Sequence, residues 1–327
     1  MGVIRTPLFW DLHLHGVAGI DFMHADEDEA LHACVNLGAH GIGYFAPTLL
    51  TAEPTLLAQA CRRWGAILTK AQKRGWLPQG AALPLGLHLE GPFLNPLMAG
   101  AHPKNNLHKP DWTLAQKLIT AAEGHVAIVT MAPELPGALS VIRKLASKNV
   151  RVQLGHTMAT AREATAAVKA GACGVTHLYN AMRVHHRNPG VIAPLSHGLC
   201  TAEIITDGVH LDREFVLWNL RAGAGHLYAV SDGCSAVGAR KGQPLTLGSL
   251  KLKREGQTAV VAKTGTLAGG ATYLTEHPAL LFGGHEKTSP RELQIFHKLQ
   301  SQFFKNRIVR ARSNYFDAKT LRFTGCR

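Results

Sequence analysis

Short apolar runs alternate with longer stretches of helical period along most of this chain, and the two patterns separate cleanly up to Asp232. The apolar runs predict strands at Leu8–Leu14, Gly41–Ala46, Pro84–Leu89, Val126–Met131, Arg151–Gly155, Gly174–Leu178, Ala202–Ile205 and Leu227–Ser231. A strand covered on both faces reads as a continuous apolar run, so these strands belong to a buried, parallel sheet. Helices fit between them at Glu27–Leu37, Pro54–Arg74, Thr113–Ala122, Leu135–Ser147, Ala161–Ala170 and Arg213–Ala222, with a less regular one over Gly190–His197. Eight strands separated by helices predict an α/β fold, a (β/α)8 TIM-like barrel. After Asp232 the pattern changes to Gly-rich and Lys-rich stretches around Leu-Thr-Leu, Leu-Lys-Leu and Thr-Ala-Val-Val-Ala, which read as short hairpins. Beyond Tyr273 no pattern is evident.

Barrel enzymes carry their chemistry where strands end and the following loops begin. Here those ends are polar: His13 and His15, Glu90, His156, His177, Asp207 with His210, and Asp232. Asp11-Leu12-His13-Leu14-His15 places two imidazoles at alternate positions on one face of a strand, where their ring nitrogens can converge on one cation. His-x-His alone is a weak signal, and its bland alternative is a pair of hydrogen-bonded histidines. Glu90 closes the apolar run Gly-Leu-His-Leu-Glu, and a buried carboxylate there needs a cation or a salt bridge. His156 in Leu-Gly-His-Thr and His177 in Val-Thr-His-Leu-Tyr would join Glu90 as three protein ligands, leaving a position for water, as hydrolytic metal centres require. Asp232 in Val-Ser-Asp-Gly suits a general base across the barrel mouth. Asn180, Arg187 and His210 follow strands six and seven, and a guanidinium matches a phosphate through paired hydrogen bonds, although lone arginines are usually solvated.

Composition adds limits. The 327 residues are 46% apolar and 17% charged, enough for a large core and without a disorder signature. Six scattered cysteines without a Cys-x-x-Cys pair indicate neither a disulfide framework nor a thiolate zinc knuckle, and point to a cytoplasmic protein. No apolar run approaches the roughly 18 residues of a membrane span. Net charge is +13, and Thr275–Arg327 contributes +6 of it, with ten Lys and Arg against four Asp and Glu. A basic balance admits polyanions or phosphorylated substrates, and the dispersal of the tail charges outside any recognised module argues against nucleic acid.

Taken together the motifs resemble one family. His-Leu-Glu-Gly-Pro-Phe-Leu followed by Gly100-Ala101-His102, Leu-Gly-His-Thr, Thr-His-Leu-Tyr-Asn-Ala-Met with His186-Arg187, Asp207-Gly208-Val209-His210 and Leu267-Ala268-Gly269 are similar to the N-acetylglucosamine-6-phosphate deacetylases, from about Asp11 to Gly270. The resemblance implies a barrel of the metal-dependent hydrolase type that cleaves the acetamide of N-acetylglucosamine 6-phosphate. It implies Glu90, His156 and His177 as metal ligands, Asp232 as the catalytic aspartate and His102 as a group polarising the acetamide carbonyl. Ala101, His102, Asn180, Ala181, Arg187, His210, Leu267, Ala268 and Gly269 match positions that hold the sugar phosphate. His13 and His15 match a pair that helps bind a second metal in members retaining both, so one or two divalent ions (zinc, iron, manganese or cobalt) stay open. A homodimer is the implied assembly.

Two departures set further expectations. Family members carry a longer segment before the Asp-x-His-x-His strand than the ten residues found here, so the accessory β-sandwich is expected to be missing or incomplete. The expected division is a barrel over residues 8–270 and a divergent basic tail over 271–327, in which the last barrel helix lacks its usual sequence. A truncated, non-catalytic relative and a different amidohydrolase, such as a cyclic-amide hydrolase or a deaminase, are the competing expectations.

Overall fold

The computed structural model describes residues 3–73, 75–223, 226–282, 313–317 and 323–326. Eight parallel strands lie side by side in chain order: β1 (Phe9–Leu14), β2 (Ile42–Leu50), β3 (Leu87–Glu90), β4 (Val126–Met131), β5 (Arg151–Leu154), β6 (Gly174–Val175), β7 (Thr201–Ile205) and β8 (Leu227–Val230). The chain turns the last of them back on the first. Leu14 bridges in parallel to Gly233, the His15 amide donates to the Gly233 carbonyl at 2.6 Å, and the Asp11 carboxyl accepts from the Ser231 amide and hydroxyl. A nearly closed barrel results.

Helices α1 (Glu27–Ala39), α2 (Pro54–Ala71), α3 (Trp112–Ala121), α4 (Ala138–Ser147), α5 (Ala161–Lys169), α6 (Ile192–Ser196), α7 (Arg213–Gly223) and α8 (His277–Phe282) follow strands one to eight in turn. Local chemistry sets their starts. Asp26 and Glu29 form a reciprocal capping box on α1, and Thr160 and Glu163 do so on α5, each satisfying amides that the first helical turn leaves free. Glu53 caps α2 and Pro54 supplies a preset φ at its first position. Trp64, fully buried on α2, packs edge-on against Phe22 and donates its indole N–H to the Phe22 carbonyl at 2.8 Å, tying that helix to the loop leaving β1.

Each strand forecast from the apolar runs has a counterpart, with shifted ends. β6 is shorter than Gly174–Leu178 because the chain enters an irregular loop at His177, and β2 runs on to Leu50. Between β8 and α8 the hairpins form a four-stranded antiparallel sheet of Thr246–Leu247, Leu250–Glu255, Thr258–Val261 and Leu267–Gly270. Leu252 is buried between exposed Lys251 and Lys253, the alternation of a strand with one wet face.

The segment beyond Tyr273 departs from its patternless appearance. Packing continues through Ala271, Tyr273, Leu274, Leu281 and Phe282, which join the same core as the barrel, and α8 takes the eighth helix position. Six residues are too few for an amphipathic period to show. Ser313–Asp317 pairs antiparallel with Val3–Pro7 and with Phe323–Cys326, so the two ends of the chain share a three-stranded sheet. That pairing joins strands some 300 residues apart, where no local signal exists. The rest of the basic tail, residues 283–312, 318–322 and 327, lies outside the described residues. Among the described residues no helix is long and apolar enough to cross a membrane.

Candidate metal centre

The polar strand ends converge at one mouth of the barrel. Glu90 ends β3, His156 follows β5 and His177 follows β6, and all three side chains are buried. Glu90 Oε1 lies 3.0 Å from His156 Nε2 and 3.0 Å from His177 Nε2, and the two imidazole nitrogens are 3.1 Å apart. His156 Nδ1 lies 2.7 Å from the Met98 carbonyl, which only accepts, so Nδ1 carries the ring proton and Nε2 turns a lone pair toward the carboxylate. Glu90 Oε1 and the His156 lone pair repel at this spacing unless a proton or a cation lies between them. The three separations approach the edge of a tetrahedron around an ion with bonds of about 2.0–2.2 Å, which is about 3.3 Å, so the residues fit a small divalent metal.

Asp232 stands over this cluster at the end of β8. His13 Nε2 and His15 Nε2 lie 3.3 and 3.4 Å from its Oδ1, and the same two nitrogens reach Glu90 at 3.6 and 3.3 Å. His102 Nε2 approaches Glu90 Oε2 at 3.2 Å, while its Nδ1 lies 2.9 Å from the Thr51 hydroxyl. His210 is held by Asp207, 2.6 Å from Nδ1, and presents Nε2 to Asp232 at 3.7 Å.

Electrostatics follow from this crowding. Burial alone would raise the Glu90 carboxyl, but the facing His13 and His102 rings hold it well below the ordinary carboxylate range. Burial is likewise outweighed at Asp232, which His13 and His15 keep low. His13 is pushed well above the usual imidazole range by Glu90, Glu203 and Asp232 in spite of its burial. His102 is the opposite case, lowered to about 4 by burial, and is therefore neutral near pH 7. The barrel mouth concentrates carboxylates that demand positive charge.

The backbone here is strained. His156, His177, Ala181 and Asp232 have φ of 49°, 27°, 48° and 48°, a left-handed region that costs non-glycine residues on the order of 1–3 kcal/mol each and clusters at functional sites. Gly269 meets a related demand: at φ 125°, an added Cβ would come within 2.7 Å of the Asp232 carbonyl. Gly270 N donates to that carbonyl at 2.7 Å, so the Leu267–Gly270 strand is stitched to the loop that carries Asp232.

A cavity of about 310 Å³ opens above the cluster. Of the expected substrate-binding residues, Ala101, His102, Asn180, Ala181, His210, Leu267, Ala268 and Gly269 line it, beside His15, Glu90, His156, His177 and Asp232. The buried Asn180 amide nitrogen has no partner among the described residues and is a donor available to a ligand. His13 lies beneath the floor, and Arg187 is exposed on the loop beyond Ala181, outside the wall. Thr51, Met98, Glu203 and His88 were not singled out in the sequence. Glu203 had a readable signal, a charge inside the apolar run of β7, and His88 shares the i, i+2 face of Glu90.

No family model matches the chain. It is 37% identical over 279 residues to the N-acetylglucosamine-6-phosphate deacetylase of Bacillus subtilis, an alignment covering 84% of this chain and 68% of that protein. The chain belongs to the N-acetylglucosamine-6-phosphate deacetylase family. The human enzyme of the same name is 36% identical over 281 residues, 82% of this chain and 66% of its own length. An N-acetylgalactosamine-6-phosphate deacetylase of Escherichia coli is 37% identical over 210 residues, 64% of this chain and 54% of its own. The chain thus spans about two thirds of the length of the first two curated deacetylases. A solved Mycobacterium smegmatis N-acetyl-D-glucosamine-6-phosphate deacetylase variant, in complex with N-acetyl-D-glucosamine 6-phosphate, superposes with a TM-score of 0.85 at 30% identity, covering 99% of this chain and 85% of the other. Family membership accounts for the barrel and for the motif order at its mouth.

Proposed function

We propose that the site hydrolyses the acetamide of N-acetyl-D-glucosamine 6-phosphate to D-glucosamine 6-phosphate and acetate. The observation that carries this reading is the meeting of Glu90, His156 and His177 within 3.0–3.1 Å in a ligand-sized cavity that Asp232 also lines. A divalent ion held by those three side chains supplies a Lewis acid that makes a water nucleophilic at neutral pH and stabilises negative charge on the acyl oxygen. Zinc, iron, manganese and cobalt all suit one carboxylate and two imidazoles.

The chain's own groups perform the proton transfers. Asp232, ionised across the working pH range, accepts a proton from the attacking water and passes it to the nitrogen as the C–N bond breaks. His102 is neutral and turns Nε2 into the cavity; it donates to the acyl oxygen as charge develops there once the Thr51 hydroxyl turns from the Glu90 carbonyl to Nδ1 and leaves the ring proton on Nε2. The Asn180 amide and the His210 ring, fixed by Asp207, line the cavity and are the groups we assign to the sugar phosphate, while Arg187 is exposed on the loop outside its wall. The free, largely buried cysteines fit a reducing cytoplasm. Exposed Phe215 and Trp218, stacked on α7, give an apolar face that fits the homodimer implied by the family.

The test is acetate release by cation-loaded and by chelated protein, offered N-acetylglucosamine 6-phosphate, its galactosamine epimer, unphosphorylated N-acetylglucosamine and dihydroorotate. Turnover should be greatest for the first and should vanish on chelation. Preference for dihydroorotate, or deacetylation that is indifferent to the chelator, overturns the reading.

A further inference from the structure

Below the candidate centre lies a carboxylate that the chemistry above does not use. Glu203, on β7, is completely buried, yet three donors reach it. Its Oε2 lies 2.9 Å from His13 Nδ1 and accepts the His177 backbone N–H at 3.1 Å. Its Oε1 accepts from the Gln153 amide at 2.7 Å, and the Tyr228 hydroxyl, which donates to Gln153 Oε1 at 2.7 Å, lies 3.3 Å away. Among the described residues its ion-pair partner is His13.

An ionised carboxylate only accepts, so the His13 proton sits on Nδ1 and its Nε2 faces the barrel mouth with a lone pair or a second charge. That Nε2 lies 3.2 Å from His15 Nε2 and 3.3 Å from Asp232 Oδ1. Donor atoms of His13, His15 and Asp232 all fall within 4.8 Å of one another, a second convergence beside the Glu90, His156 and His177 cluster. His88 also adjoins Glu203 and His13, but its nitrogens face the Leu12 carbonyl at 3.2 Å and the Thr130 hydroxyl at 2.7 Å, so it packs the ring in place.

We propose that Glu203 is a positioning residue: it locks the His13 ring with Nε2 toward His15 and Asp232, and so governs how tightly the second cation that the family resemblance places on His13 and His15 is held. The inference rests on the reading of Glu90, His156 and His177 as the first position. Through the His177 amide the same carboxylate also steadies the loop that carries one ligand of that first position.

Metal-free protein titrated with Co2+ and followed by equilibrium dialysis and visible absorption tests it. The wild type should take up two equivalents. Glu203→Gln should keep the first and bind the second about 10- to 100-fold more weakly, the range for loss of a carboxylate behind a metal-bound histidine. Unchanged second-site affinity in Glu203→Gln overturns the proposal. A single equivalent in the wild type also overturns it while leaving the first position standing, and none at all removes both readings. Should the variant fail to fold, long-range 15N–1H spectra of zinc-loaded, histidine-labelled wild type decide alone. A His13 proton on Nδ1 is expected, and one on Nε2 sinks the assignment.

Discussion

At the scale of the residue, Asp232 has two jobs that substitution can separate. Asp232→Asn keeps an oxygen facing His13 and His15 but cannot take up a proton. The loss of general acid–base catalysis is expected to lower kcat by about 10²- to 10⁴-fold while KM and the tight cation equivalent change little. Acetate release and metal content on one preparation check this, and near-native kcat would remove Asp232 from the proton path. The residues legible in the sequence share a cause. Glu90, His156, His177 and Asp232 sit where apolar runs stop, and a charge at that place in a barrel has a short list of uses. Glu203 breaks an apolar run and His88 shares a face with Glu90, but neither lies at a strand end, where a barrel sequence points to chemistry. Their meaning appears only when neighbouring strands bring His13 to 2.9 Å from Glu203 and Thr130 to 2.7 Å from His88.

At the scale of the element, strands β1 to β8 were legible because each is covered on both faces and carries its own apolar run. α8 was not. It is short and begins with His277-Pro278, and its anchoring is tertiary: His277 is fully buried, with Nδ1 2.9 Å from the Thr206 hydroxyl and Nε2 3.3 Å from the Thr272 hydroxyl. Burial lowers the His277 pKa from 6.5 to about 4. The unfolded chain therefore binds a proton at higher pH than the folded one, and stability falls as pH drops from about 6.5 towards 4. At about 1.4 kcal/mol per unit, this single ring accounts for on the order of 3 kcal/mol of acid lability. Urea midpoints at pH 7 and pH 4.5 should show a smaller loss in His277→Gln than in wild type, although the variant starts lower at pH 7. Equal losses would mean that His277 is already charged in the folded state. The strands Val3–Pro7 and Ser313–Asp317 illustrate the other limit, since a pairing between distant segments leaves no mark in either.

At the scale of the whole molecule, the barrel closes where its carboxylates are most concentrated. Asp11 on β1 accepts from Ser231 just past β8, two residues before His13 and one before Asp232, so the seam of the barrel and the centre of its negative charge coincide. A cation at the mouth then acts as a tie across the seam as well as a reagent, because it answers charge on β1, β3, β7 and the loop after β8 together. Binding to the folded state alone stabilises it by about 4 kcal/mol when the free ion stands at 1,000 times Kd. At about 2.1 cal/mol/K of unfolding entropy per residue, each kcal/mol is worth about 1.5 °C in a chain of this size, so chelation is expected to lower Tm by about 6 °C and readdition of the ion to restore it. Calorimetry on chelated and reloaded protein measures this, with Glu90→Gln as the comparison. That variant has one fewer buried charge to repel and one fewer ligand to bind, so its metal-free form should melt closer to its metal-treated form. If chelation left the wild-type melting curve in place, the cluster at the barrel mouth would owe its geometry to protons rather than to metal, and the hydrolytic reading would lose its physical basis.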